Sequence, residues 1–261
     1  MSDANEGQVR CSVEGAVAQV VFDREAAHNA MTWRMYEQLE EICDRIAQQR
    51  EIRAVTFRGA GGRAFVAGTD IQQFLAFSTA EDGVEYERRI ETVLGKVDRL
   101  PVPTLAIVDG WCVGGGLAIA SCCDLRISTP LGKFGVPIAR TLGNCLAIRN
   151  TARLAAEFGI GPAKRMLLLG DMLSAAQAQT LGFVSEVVEA GEIDARAAAI
   201  VERLTHNAPL TMRVSKESIA RMLAALPLEG DDLVKLCYGS DDFRHGVQAF
   251  VDKRTPEWSG K

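Results

Sequence analysis

Val108-Asp109-Gly110-Trp111-Cys112-Val113-Gly114-Gly115-Gly116 leaves a buried-looking strand, Thr104–Val108, and enters a helix of small residues, Leu117–Cys123. Three consecutive glycines before a helix let main chain approach something closely, because glycine has no Cβ. The first N–H groups of a helix lack intrahelical partners and carry partial positive charge. The same grammar occurs upstream in Phe65-Val66-Ala67-Gly68-Thr69-Asp70, between extended Ala64–Val66 and a helix starting at Asp70. Two such turns facing one point would hold the negative oxygen of an enolate or tetrahedral species. Taken singly, such a turn is more often tight helix–strand packing. Neither is a dinucleotide fingerprint or a P-loop, since G-x-G-x-x-G and Gly-Lys-Ser/Thr are both missing from them.

Outward from these turns, strands alternate with helices up to about residue 190. Val9–Val13 and Ala16–Phe22 read as strands around a Glu14-Gly15 turn. Thr32 caps a helix carrying Met35, Leu39, Ile42 and Ile46 at helical spacing. Arg53–Arg58 is a strand. The helix from Asp70 has Ile71, Phe74 and Leu75 on one face, and Thr79–Arg99 is an amphipathic helix ended by Pro101 and Pro103. Leu125–Ser128 and Lys133–Pro137 read as extended, Asn144–Phe158 as helical. Ser174-Ala175-Ala176-Gln177 is a capping box, with a strand Phe183–Val188 behind its helix. From Ile193 onward the pattern is helical, with breaks near Pro209, Pro227 and Gly230. Lys253–Lys261 is expected to fray unless docked. The class is α/β with a C-terminal helical part.

The 261 residues, 48% hydrophobic, suffice for a large core. A net charge of −5 argues against a nucleic-acid partner. No apolar run reaches the roughly 18–20 residues that span a bilayer, and the polar start Met1–Gln8 resembles no targeting peptide. Seven cysteines without a C-x-x-C pair read as reduced thiols of a cytoplasmic protein, and three histidines make a multi-His metal centre an unattractive reading.

The motifs together resemble the crotonase (enoyl-CoA hydratase/isomerase) family over about residues 9–260. The matching stretches are Phe22-Asp23-Arg24 with Asn29-Ala30-Met31, and Arg53-Ala54-Val55 with Gly59-Ala60-Gly61. Ala64–Asp70, Pro103–Ala106, Gly110 with the glycine triplet, and Cys123–Ile127 follow. So do Gly170 to Val184, Asp242-Phe243, Gly246, Ala249-Phe250, Lys253-Arg254 and Pro256. The resemblance implies a spiral of ββα units over residues 1–200, holding an acyl-CoA pocket. It implies a C-terminal helical trimerisation region over 201–261, and a homotrimer or homohexamer. The implied cofactor is none, with coenzyme A entering as the substrate's thioester. By the same resemblance the N–H groups of Thr69 and Gly115 form the oxyanion hole, and the Thr69 side chain is not needed. Arg24, Ala67, Phe250 and Lys253 are the implied CoA contacts, while Asp70 and Asp124 read as structural.

The sequence departs from the family where a hydratase carries its two glutamates. Those positions hold Ala118 and Ile138, neither of which exchanges a proton. The chemistry is therefore open among decarboxylation, isomerisation, C–C cleavage and thioester hydrolysis. A weak hydratase and a non-catalytic acyl-CoA binder are the alternatives. Arg140 is a candidate for binding a substrate carboxylate, and Asn144 a candidate hydrogen-bond donor. Cys145 is a nucleophile only with a lowered pKa. Asp82, Glu85 and Glu87 are candidates for a relocated acid, and His28 is placed near the nucleotide.

Overall fold

The computed structural model describes residues 6–224 and 229–261; the break expected near Pro227 lies outside them. The chain opens with a hairpin, β1 (Gln8–Glu14) and β2 (Val17–Asp23), turning at Gly15 with φ 58°. Ala18, Val20 and Phe22 alternate inward along β2, the period-two signature of a half-buried strand. Helix α1 (Trp33–Gln48) follows. Thr32 accepts a hydrogen bond from the Met35 N–H, and Met35, Leu39, Ile42 and Ile46 are buried.

Three successive units then each place one strand in each of two sheets. The first is β3 (Ala54–Gly59), β4 (Ala64–Val66), a 3-10 helix (Ile71–Ala76) and α2 (Ala80–Asp98). The second is β5 (Thr104–Val108), β6 (Trp111–Val113) and α3 (Gly115–Ser121). The third is β7 (Leu125–Ser128), β8 (Lys133–Gly135), α4 (Ile138–Thr141), α5 (Ile148–Phe158) and α6 (Ile160–Lys164). A π-turn (Arg165–Leu169), β9 (Met172–Ser174), α7 (Ala175–Thr180) and β10 (Glu186–Val187) complete the spiral. One sheet runs β1-β2-β3-β5-β7-β10, parallel beyond the hairpin. The other runs β4-β6-β8-β9, with β9 antiparallel. Every residue of β5 is buried, as expected of a central parallel strand covered on both faces.

The remaining elements are α8 (Ile193–His206), α9 (Pro209–Ala224), α10 (Asp231–Tyr238) and α11 (Asp241–Val251). Ile193, Ala197, Ile200 and Val201 of α8 pack on Ala54, Leu105, Ile107 and Ile127. The expected division at residue 200 therefore falls inside a helix that closes one face of the larger sheet. Helix α9 is tied to the core by Lys216 Nζ, 2.7 Å from Asp124 Oδ2; the same oxygen accepts from the Thr104 N–H at 2.7 Å. Among the described residues no helix is long and apolar enough to cross a membrane.

Some expectations need correction. Leu75 is 51% exposed, because a 3-10 helix repeats every three residues and aligns Ile71 with Phe74 instead. The helix read as Leu117–Cys123 starts earlier, at Gly115, and ends at Ser121. The stretch read as helical from Asn144 begins its helix at Ile148, and Phe183–Val188 keeps only Glu186–Val187 as strand. The tail is docked rather than frayed: Asp242 accepts from the Ser259 and Gly260 N–H groups at 2.6 and 2.9 Å, and Asp241 N–H donates to the Lys261 carbonyl at 2.7 Å.

Candidate active site

The two glycine-containing turns meet. After β4 the chain passes Gly68 at φ +102° and forms a parallel bridge between Thr69 and Met31. Met31 N–H donates to the Gly68 carbonyl and Asp70 N–H to the Met31 carbonyl, both at 2.8 Å. This alternation turns the Thr69 N–H away from the bridge, and among the described residues it finds no acceptor. After β6, Gly114 adopts φ 53° and ψ −118°, a conformation that side-chain-bearing residues rarely reach. Gly115 then opens α3, so its N–H belongs to the first turn without an intrahelical acceptor. A Cβ on Gly114 would lie 3.7 Å from Gly68 Cα. A Cβ on Gly116 would lie 2.0 Å from the Val66 carbonyl, so only glycine lets α3 rest on β4. The far end of α3 is anchored by buried Arg126, which donates to the carbonyls of Ala120 (3.2 Å) and Cys123 (2.5 Å) and pairs with Glu157 at 2.8 Å.

Hydroxyl groups surround these turns. Thr69 Oγ1 sits 2.8 Å from Tyr36 Oη and 3.0 Å from Tyr86 Oη. The Thr69 side chain thus links α1 to α2. Burial pushes both phenols well above the usual range, so they stay protonated. On the next residue of α2, Glu87 is 5% exposed. Its Oε2 accepts from the Ala147 N–H at 2.7 Å and its Oε1 from Tyr238 Oη at 2.8 Å. Burial pushes the Glu87 carboxyl up to about 7, against the opposing pull of those two hydrogen bonds. Its partner Tyr238 packs against Tyr86, ring centroids 6.1 Å apart, so Glu87 lies in the same buried region as the Thr69 hydroxyl cluster. Tyr238 and Tyr86 are packed with Phe74, Phe77 and Phe243, ring centroids 4.7 Å apart for Tyr238–Phe243 and 4.9 Å for Phe74–Tyr86.

The other residues singled out in the sequence fall as follows. Ala118 and Ile138 are half-buried, apolar and packed against the core. Arg140 is exposed on α4, and among the described residues its guanidinium makes no ion pair. Asn144 spends its donor on Tyr238 Oη at 3.2 Å, and its Oδ1 is one of the buried atoms that find no partner among the described residues, so it offers an acceptor. The neighbouring Cys237, and burial after it, raise the Cys145 thiol, which disfavours it as a nucleophile toward the thioester. Asp82 is committed to the α2 capping box with Thr79, and Glu85 is exposed; Glu87 alone of the three acids is buried. His28 is exposed, in a left-handed turn whose carbonyl accepts from the Ala67 N–H at 3.1 Å. Half-exposed Phe250 and exposed Lys253 lie at the end of α11, which packs on the Ile71–Ala76 helix of the same chain.

Arg24 is held inward. Its guanidinium pairs with Asp70 Oδ2 at 2.8 Å and donates to the Ala30 carbonyl at 3.1 Å. Asp70 also caps the 3-10 helix by accepting from the Gln72 N–H at 3.1 Å. This makes Arg24 a brace for the Thr69 turn. Arg24→Ala leaves Asp70 unpaired at a site where the two side chains are 12% and 18% exposed. The expected loss is roughly 2–4 kcal/mol of unfolding free energy. Urea denaturation run beside a CoA titration separates this brace from a phosphate contact: an unchanged midpoint with weakened CoA binding would reverse the assignment.

The family model described as Enoyl-CoA hydratase/isomerase matches residues 12–261. The chain belongs to the enoyl-CoA hydratase/isomerase family. A Short-chain-enoyl-CoA hydratase of Clostridium acetobutylicum is 32% identical over 249 residues, covering 94% of each chain. Among solved structures, an enoyl-CoA hydratase/carnithine racemase from Magnetospirillum magneticum is 34% identical with a TM-score of 0.80, covering 97% of this chain and 96% of that one. A methylmalonyl-CoA decarboxylase in complex with 2-nitronate-propionyl-CoA superimposes with a TM-score of 0.89 at 23% identity, covering 97% and 98%, a likeness of fold. The interleaved spiral is thus the crotonase fold. Enoyl-CoA hydratase/isomerase chains are acyl-CoA enzymes.

Proposed function

We propose that this protein binds an acyl-CoA and stabilises the thioester oxyanion between the N–H groups of Thr69 and Gly115, in a reaction other than simple two-glutamate hydration. The observation that carries the reading is the contact of the two glycine-containing turns, with the Thr69 amide unpaired, while Ala118 and Ile138 are apolar and packed against the core. Such donors favour developing negative charge on the thioester oxygen. Decarboxylation suits this inventory: the C–C bond to the carboxylate breaks, its electron pair enters the enolate, and carbon dioxide leaves without a base to start it. Exposed, unpaired Arg140 is the proposed orienting cation. The α-carbon must then take a proton. Glu87, with its carboxyl near pH 7, is the proposed source, acting through Tyr238 or directly.

A second reading, hydration or isomerisation by a relocated acid, is favoured by the same Glu87 and by the hydratase names of relatives. The discriminating experiment follows the enoyl-thioester absorbance of crotonyl-CoA, with a panel of malonyl-type CoA esters and a CoA titration beside it. The expected result is CoA binding, slow or no loss of crotonyl absorbance, and turnover of a carboxylated ester that falls in Arg140→Ala. Rapid crotonyl-CoA hydration would sink the decarboxylation reading. Binding without turnover of any thioester would make the protein a non-catalytic acyl-CoA binder. A homotrimer or homohexamer in the cytoplasm completes the proposal. Exposed Leu210, Val214, Ile219 and Met222 on α9 support assembly, since such apolar side chains are usually covered by a neighbour.

A further inference from the structure

Two thiols outside the oxyanion hole are paired. Cys145 lies in the open segment between α4 and α5, and Cys237 in the last turn of α10. Each reaches for a carbonyl near the other in sequence. Cys237 Sγ donates to the Gly143 carbonyl at 3.0 Å, and Cys145 Sγ lies 3.9 Å from the carbonyl of Leu233, one helical turn before Cys237. Each thiol therefore lies against the segment that carries the other. Both are half-buried, within reach of a small reagent, whereas Cys43, Cys112, Cys122 and Cys123 are enclosed in the core.

We propose that Cys145 and Cys237 form a reversible intramolecular disulfide by exchange with a low-molecular-weight disulfide such as that of glutathione. The Cys237 thiolate attacks one sulfur of the small disulfide, forming a mixed disulfide and releasing one small thiolate, which takes up the Cys237 proton. Cys145 then loses its proton and attacks Cys237 Sγ, releasing the second small thiol. The protein loses two hydrogen atoms, and the small disulfide is reduced to two thiols. The order follows from the proximity of the two thiols, which lowers Cys237 and raises Cys145 from the ordinary thiol range. The new bond joins α10 to the segment that leads into α5. It therefore fixes Tyr238 relative to Ala147, the two groups that grip Glu87. The proposal does not depend on which reaction the site performs.

The test incubates the intact protein with excess glutathione disulfide, alkylates the remaining thiols and maps the peptides without reduction. The expected result is a Cys145–Cys237 cross-link, loss of two titratable thiols, a higher Tm, and full reversal by dithiothreitol. Cys145→Ser is expected to stop at a glutathione adduct on Cys237. If both cysteines in the native chain end alkylated, or both carry glutathione without a link, the proposal is overturned. A link from either residue to another cysteine overturns it as well.

Discussion

Glu87→Gln is expected to lower kcat by about 10²–10⁴-fold while making the protein more stable above neutral pH. Both effects come from one buried carboxyl. Its folded value near 7 lies above the ordinary 4.5, so the folded state holds the proton more tightly than the unfolded chain. Stability from this group is complete below about pH 4.5 and is lost as pH rises through about 7. The gap corresponds to about 3 kcal/mol. Glutamine keeps the hydrogen bonds of the protonated acid: its oxygen accepts from the Ala147 N–H and its amide donates to Tyr238 Oη. The Tyr238 hydroxyl can then turn to the Cys145 carbonyl, 3.5 Å away. Urea denaturation of both proteins at pH 5 and pH 8 reads the effect. The native chain should lose up to about 3 kcal/mol relative to the variant between those limits. A variant that is less stable at pH 8, or one with unchanged kcat, would remove Glu87 from the proposed proton transfer.

The second large effect is expected at Gly115. An alanine Cβ there would lie 2.5 Å from Tyr36 Oη and 3.3 Å from Thr69 Oγ1. Tyr36 is wholly buried on α1, so its ring cannot swing clear and the start of α3 must move instead. A displaced donor amide costs about 10²–10³-fold in kcat. The CoA moiety should bind nearly as before, because that part of the ligand does not touch the amide. Tyr36→Phe removes the offending oxygen at the expense of one hydrogen bond to Thr69, about 1 kcal/mol. The double variant should therefore regain activity that Gly115→Ala alone has lost, a departure from additivity. If Gly115→Ala turns over at the native rate, the Gly115 amide is not the donor.

Much of the scaffold was legible in the sequence, because its signals are local. Thr32, Thr79 and Ser174 cap helices whose first turns they bond directly. The hairpin turn at Gly15 and the apolar run of β5 are equally short-range. The three-residue strands β6 and β9 carry too few residues for a period to show. The late start of α5 has a tertiary cause: Asn144, Cys145 and Ala147 are drawn into contacts with Tyr238, Leu233 and Glu87 from distant helices. Phe183 was read as strand, yet its N–H closes a turn on Ala178 and its ring stacks on Phe158, 4.1 Å between centroids. At the site, the paired turns were visible as motifs. The inward pairing of Arg24 was not, since it depends on where Asp70 comes to rest. Glu87 could be placed on α2, but its burial and its partners could not, since they arrive from residues 147 and 238.

The donors proposed for the centre of this site are main-chain groups, and that sets how the protein can drift. Every residue but proline carries the same amide, so no ordinary point substitution at Thr69 deletes the donor itself. Catalytic acids sit on side chains and vanish with one codon, the change proposed for Ala118 and Ile138. Mutational change can therefore strip and rebuild the proton-handling groups around an oxyanion hole that persists as long as the two turns hold their shape. A lineage with such a centre can trade one thioester reaction for another without passing through a form that has lost its grip on the thioester.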